Sequence, residues 1–146
     1  QPHVNIWFNT SIRADYAKIK IGEGTNVQDN AVLHVSDDQA LSIGSYVTIG
    51  HGCIIHGCTV EDACLIGMGT IILNGAHILE NSIVGAGSLV TQNKTFPKGS
   101  LIMGRPAQFI RFLTEEEISS IKTNAQHYID NAKQFKTNQF KKHEMK

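Results

Sequence analysis

The chain has 146 residues, with 13 lysines and arginines against 13 aspartates and glutamates and a formal net charge of zero. That length fits one domain, the balanced charge without a basic patch interleaved with aromatics argues against nucleic acid as a partner, and no run approaches the roughly 18 apolar residues of a membrane span. No signal peptide is visible and the three cysteines form no framework, as expected of reduced thiols in a soluble cytoplasmic protein.

The dominant pattern is an aliphatic residue every six positions, often followed by Gly or an acidic residue. It begins at Ile6 and Ile12, takes up three extra residues, and continues through Ile21, Val27 and Leu33. After four inserted residues it resumes at Ile43, Ile49 and Ile55, shortens to a five-residue step at Val60, and runs on through Ile66, Ile72, Ile78, Val84 and Val90. A hexapeptide period predicts a mainly β fold, a parallel β-helix in which each repeat is one short strand and three repeats close a triangular coil. Small residues spaced about four after the aliphatic ones (Ala31, Val47, Cys53, Ala63, Thr70, Ala76, Ser82 and Ser88) are expected to take the second inward position. Cys64 is assigned to that position too, and Cys58 lies near the short step.

After Val90 the repeat fades through Phe96-Pro97-Lys98-Gly99 into a last extended stretch, Leu101-Ile102-Met103. Residues 1–113 are therefore assigned to the β-helix and its final extended segment, and 114–146 to a C-terminal helix and tail of the same domain. Thr114 and Glu117 have the spacing of a capping box, and Ile118, Ile121, Ala125, Ile129 and Ala132 recur at helical steps of three and four. The tail from Lys136, with Lys141, Lys142 and Lys146, is polar and expected to fray.

Three histidines acquire geometry from this repeat. His34 follows Leu33 and His56 follows Ile55, one full coil apart if the inserted residues bulge out at a corner, so the two should stack on one outer face with backbones about 4.8 Å apart, the spacing of neighbouring strands. His51 sits two after Ile49, on the preceding face. One subunit cannot easily aim all three rings at one point. A threefold assembly can, by setting the His34/His56 face of one chain against the His51 face of the next. Three imidazoles leave a fourth tetrahedral position for water, the pattern of a catalytic rather than a structural zinc site. His3, His77, His127 and His143 are read as ordinary surface residues.

The segments Ile6-Trp7-Phe8-Asn9, Ile12-Arg13-Ala14-Asp15, Thr25-Asn26-Val27-Gln28-Asp29, Val32-Leu33-His34, Ile49-Gly50-His51 and Ile55-His56-Gly57-Cys58 resemble the gamma-class carbonic anhydrases over almost the whole chain. The later Gly104-Arg105-Pro106-Ala107 is less specific, being similar to hexapeptide acyltransferases as well. The resemblance implies a left-handed β-helix, a homotrimer, and a zinc ion (or ferrous iron or cobalt) at each subunit interface, held by His34 and His56 of one subunit and His51 of its neighbour. It also implies about two further coils before the Trp7 segment; the chain opens at Gln1 without Met, and missing residues or a packing partner are expected there.

Repeat counting puts Gln28 and Asp29 on the His51 face, one coil below it. Gln28 can both donate and accept and is expected to hydrogen-bond water or hydroxide on the metal. Asp29 is expected to pair with Arg13 of the adjacent subunit, and by the resemblance Arg13 and Asp15 share that seam. Asn26 is a lesser polar contact, and the C-terminal helix offers Tyr128 first and Asn124 second as a side chain near the metal. The implied reaction is hydration of CO2 to bicarbonate. Tyr16 stands where the most active archaeal prototype has a glutamate, and only a short Ser36-Asp37-Asp38-Gln39 loop follows His34, so the proton-export groups differ. Rival readings are an acyl-CoA-dependent hexapeptide acyltransferase, a thioesterase, and a metal-binding scaffold without catalysis.

Overall fold

The computed structural model describes residues 1–137, and His143 and most of the lysine-bearing tail lie outside the described residues. The chain winds as a left-handed parallel β-helix of about five turns, followed by a hairpin and one helix. Face A stacks β1 (Asn5–Ile6), β4 (Asn26–Val27), β7 (Thr48–Ile49), β10 (Leu65–Ile66) and β13 (Ile83–Val84). Face B stacks β2 (Ser11–Arg13), β5 (Val32–His34), β8 (Ile54–His56), β11 (Ile71–Ile72) and β14 (Leu89–Val90). Face C stacks β3 (Ile19–Ile21), β6 (Leu41–Ile43), β9 (Thr59–Val60) and β12 (His77–Ile78).

The six-residue period becomes columns of like residues inside the prism. Val27, Ile49, Ile66, Val84 and Ile102 form one fully buried column on face A, and Leu33, Ile55, Ile72 and Val90 another on face B. At the first coil Ile6 and Ile12 keep the phase yet remain exposed, because β1 and β2 are the outermost strands of their sheets. The small inward residues sit where the corners leave little room, and the polar ones among them are satisfied by corner carbonyls. Thr70 and Ser88 donate to Gly85 O at 3.2 and 2.6 Å, and the Cys53 thiol donates to Gly67 O at 3.2 Å. Ala63 departs from expectation. It adopts a left-handed turn at φ 51°, and Cys64, four after Val60, is the residue that points inward.

All three cysteines are free and buried, and burial pushes their thiols up to about 11 for Cys53 and about 12 for Cys58 and Cys64. Cys58 is thus a core residue at the five-residue step, its side chain packed inside the prism among Ile55 and Val60 and not on the outer surface where His56 emerges.

The four inserted residues leave the coil at the corner between β5 and β6, closed by a backbone pair between Ser36 and Gln39. The final extended segment is β15 (Ser100–Gly104) on face A, and it turns back as β16 (Ala107–Phe112), antiparallel to it. That return strand was not expected, because its Ala-Gln-Phe-Ile-Arg-Phe sequence lacks clean two-residue alternation. Thr114 and Glu117 form the capping box as expected and open α1 (Glu115–Lys136). Arg111 holds the same Glu117 through two hydrogen bonds of 2.8 and 2.7 Å, tying the hairpin to the helix start. Ile121, Ala125 and Ile129 are buried as α1 packs on β1, β4 and β7, so the helix lies along face A of its own chain.

Candidate metal centre

On face B the ladder places Arg13, His34 and His56 in direct register on β2, β5 and β8. Each follows an inward aliphatic residue, so all three side chains emerge on the outer surface. The two imidazoles meet edge to face, with centroids 4.8 Å and planes 74° apart, and His34 Nδ1 lies 2.9 Å from His56 Nε2. Their far nitrogens are both engaged: His34 Nε2 lies 2.9 Å from Asp15 Oδ1, and His56 Nδ1 lies 2.6 Å from Asn74 Oδ1. A carboxylate and an amide oxygen only accept, so each far nitrogen carries the hydrogen. The two near nitrogens then face each other at hydrogen-bonding distance, and a cation, either a shared proton or a metal ion, is needed between or beside them.

In the single chain part of that charge comes from Arg13, whose Nη2 lies 3.4 Å from His34 Nδ1 and whose guanidinium also pairs with Asp15. Zinc fits the donor set: bonds of about 2.0–2.1 Å at tetrahedral angles set ligand nitrogens about 3.3 Å apart, so the pair has only to open by under about half an ångström. Asp15 is held below the ordinary carboxylate range; desolvation pushes it up, and hydrogen bonds from His34, its own backbone and Arg13 outweigh that.

His51 lies just past β7 on face A, half-exposed, with its Nδ1 3.2 Å from Asp29 Oδ2. The Asp29 backbone carbonyl accepts from Gly52 N, fixing the two residues one coil apart. Beside them runs a buried polar ladder. Gln28 Nε2 donates to Asn26 Oδ1 at 3.1 Å, Asn26 Nδ2 donates to Thr48 Oγ1 at 2.8 Å, and Asn124 of the helix donates to the same hydroxyl at 3.0 Å. Asn26 is wholly buried behind Gln28 and orients it. Asn124 serves the ladder, whereas Tyr128 reaches the site residues: it hydrogen-bonds Gln28 and stands in the field of Asp29. Burial first and the Asp29 charge second hold its hydroxyl above the ordinary tyrosine value, against the Gln28 bond that lowers it.

One chain therefore carries the expected site residues in two groups on adjacent faces, and among the described residues of that chain no group of three His, Cys, Asp or Glu side chains converges on one point. Within the chain Asp29 pairs with His51 and Arg13 with Asp15. The exposed Tyr16 ring lies 6.4 Å from the His34 ring, and Asp37 and Asp38 are exposed loop residues. Of the histidines read as ordinary surface groups, His77 pairs with Glu61 at 2.8 Å on face C, and His3 and His127 are exposed. Asn74 is the contact that the sequence reading missed. Its signal was faint: it lies two residues past Ile72, the next residue above Ile55 in the column, and so stacks above the residue that follows His56.

Residues 57–92 match the family model for the bacterial transferase hexapeptide, six repeats. Across 125 residues the chain is 54% identical to a protein of Methanocaldococcus jannaschii named a probable carbonic anhydrase, covering 86% of this chain and 79% of that one. The chain belongs to the gamma carbonic anhydrase family. It is also 43% identical over 132 residues to the mitochondrial gamma carbonic anhydrase 2 of Arabidopsis thaliana, covering 86% of this chain but spanning only 48% of that plant relative. Among solved structures, a hexapeptide transferase family protein from Anaplasma phagocytophilum superposes with a TM-score of 0.86 at 44% identity, over 90% of this chain and 77% of that one.

Proposed function

We propose that this chain is a metal-dependent gamma-type carbonic anhydrase that interconverts CO2 and bicarbonate at the seams of a homotrimer. The observation that carries the reading is the pair of ring nitrogens 2.9 Å apart, each ring's far nitrogen held by an acceptor. In the trimer His51 of the neighbouring chain completes the set with His34 and His56. When bound, a zinc ion, or ferrous iron or cobalt, lowers the pKa of water to about 7 and makes hydroxide available at neutral pH.

The chain's own residues bind and orient. Gln28 is immobilised by Asn26 and Tyr128 and presents its remaining carboxamide valence to an oxygen of water or bicarbonate. Tyr128, with its hydroxyl raised, stays protonated at neutral pH and acts as a donor. Arg13 draws the anionic product toward the seam while Asp15 fixes the His34 ring, and in the trimer Asp29 takes Arg13 of the next subunit as a second partner. The family's transferase relatives support a second reading, acyl transfer from an acyl-CoA donor, which needs no metal. Three free buried thiols favour a reducing, cytoplasmic setting, and among the described residues no helix is long and apolar enough to cross a membrane.

Stopped-flow CO2 hydration on anaerobically prepared protein of measured metal content tests the proposal. Rapid hydration abolished in His56→Ala is expected. Stoichiometric metal without hydration would overturn the substrate assignment, and absence of metal under every loading would shift the reading to acyl transfer.

A further inference from the structure

We infer that Asn74 is a positioning residue for His56, locking its ring in the Nδ1–H form so that Nε2 is free to bind the metal, and that the loop inserted after His34 holds Asn74 in place through Ser36. The inference rests on the metal-site reading given above and adds a residue to it. Asn74 Oδ1 lies 2.6 Å from His56 Nδ1, and Asn74 Nδ2 donates to Ser36 Oγ at 2.8 Å. The three groups come from three separate stretches of chain: β8, the coil above it, and the loop that interrupts the repeat between β5 and β6.

The space for this arrangement is made by Gly57, which follows His56 at φ 49°. A Cβ there would sit 2.9 Å from Gln39 Cβ and 3.3 Å from Asn74 Oδ1, so the absent side chain lets both the loop and the carboxamide close on the ring. The result is a continuous polar chain, Asp15–His34–His56–Asn74–Ser36, with an acceptor at each ring's outer nitrogen. If the Asn74 amide were turned over, its NH2 would face Nδ1, the hydrogen would move to Nε2, and the metal-facing position would be blocked. Partners that orient metal-binding histidines typically change affinity 10–100-fold when removed.

The test compares wild type, Asn74→Ala, Asn74→Asp and Ser36→Ala by zinc competition against a chelator, and by 15N spectra of the His56 ring in metal-free protein. Asn74→Ala is expected to weaken zinc 10–100-fold and to abolish the Nδ1–H preference. Asn74→Asp restores an acceptor and should recover wild-type affinity to within a few fold, which a merely structural role would not produce. Ser36→Ala should give a smaller loss of the same kind. Wild-type zinc affinity with an unchanged His56 tautomer in Asn74→Ala would overturn the inference, as would Asn74→Asp binding no better than Asn74→Ala. Should wild type itself take up no zinc, the metal reading fails, while the ring spectra still decide whether Asn74 sets the tautomer.

Discussion

His51→Ala and His34→Ala chains should each fail to hold metal yet restore some sites when combined. The structure puts His34 and His56 on face B and His51 beyond face A of the same prism, and in the proposed homotrimer each seam would take face B from one chain and face A from the next. A seam is intact only where a His51→Ala chain supplies face B and a His34→Ala chain supplies face A. In a heterologous ring of three, random assortment at equal amounts gives about three quarters mixed trimers, and every mixed trimer contains one such junction. About a quarter of all sites should therefore return, and no mixed trimer should carry two ions. Co-refolding the two variants from denaturant, followed by native mass spectrometry and metal analysis, reads both quantities. Absence of metal from the mixture, or mixed trimers with two or three ions, would refute the division of the site between faces.

Truncating Ile49, fully buried in the face A column, to Ala should cost about 2–5 kcal/mol in denaturant unfolding of the protein. Gly57→Ala places a Cβ in the left-handed region and against Gln39, and should lower stability by about 1–2 kcal/mol or more, as read by thermal melting. Glu117 is held down to about 2 from an ordinary 4.5, first by the Arg111 hydrogen bonds and then by the Thr114 backbone. A depressed carboxyl stabilises the fold above its unfolded pKa and loses that contribution as pH falls toward the folded one. The melting-temperature gap between wild type and Glu117→Gln should accordingly be full at pH 6 and shrink between pH 4.5 and 2. Native protein at pH 8 should resist alkylation at all three cysteines and react on unfolding, by mass spectrometry, because burial holds the thiols protonated.

The coil assignment was legible because a column is a counting rule: Leu33, Ile55 and Ile72 lie above one another whether the intervening step holds six residues, ten or five. The same counting separated His34 and His56 from His51 and put Gln28 and Asp29 beside the latter. It failed at Ala63, where the count ran one residue short and only the backbone conformation distinguishes a turn residue from an inward one. The β16 return strand escaped because it ends the solenoid and pairs antiparallel, outside the rule. Asn74 escaped for a different reason. Its role depends on a side chain reaching between coils and on a glycine that leaves the space, neither of which a periodic pattern records. Tyr128 was reachable only through the helical phase of α1, which fixes the side of the helix that meets face A but not the residue it meets there.

The step between coils has a consequence for how such a site drifts as sequences change. Position along the prism axis is an integer: a side chain can move up or down a column only by whole turns, never by a fraction of one. Extra turns spliced onto either end would lengthen the molecule and leave every ligand at its address. Within the turn that separates Leu33 from Ile55, surplus residues are expelled sideways at a corner, as the Ser36–Gln39 excursion is, and the two imidazoles keep their 4.8 Å separation. Length variation in this architecture is thus sorted by place, into growth that is neutral for the chemistry and corner excursions that can only add to its surroundings.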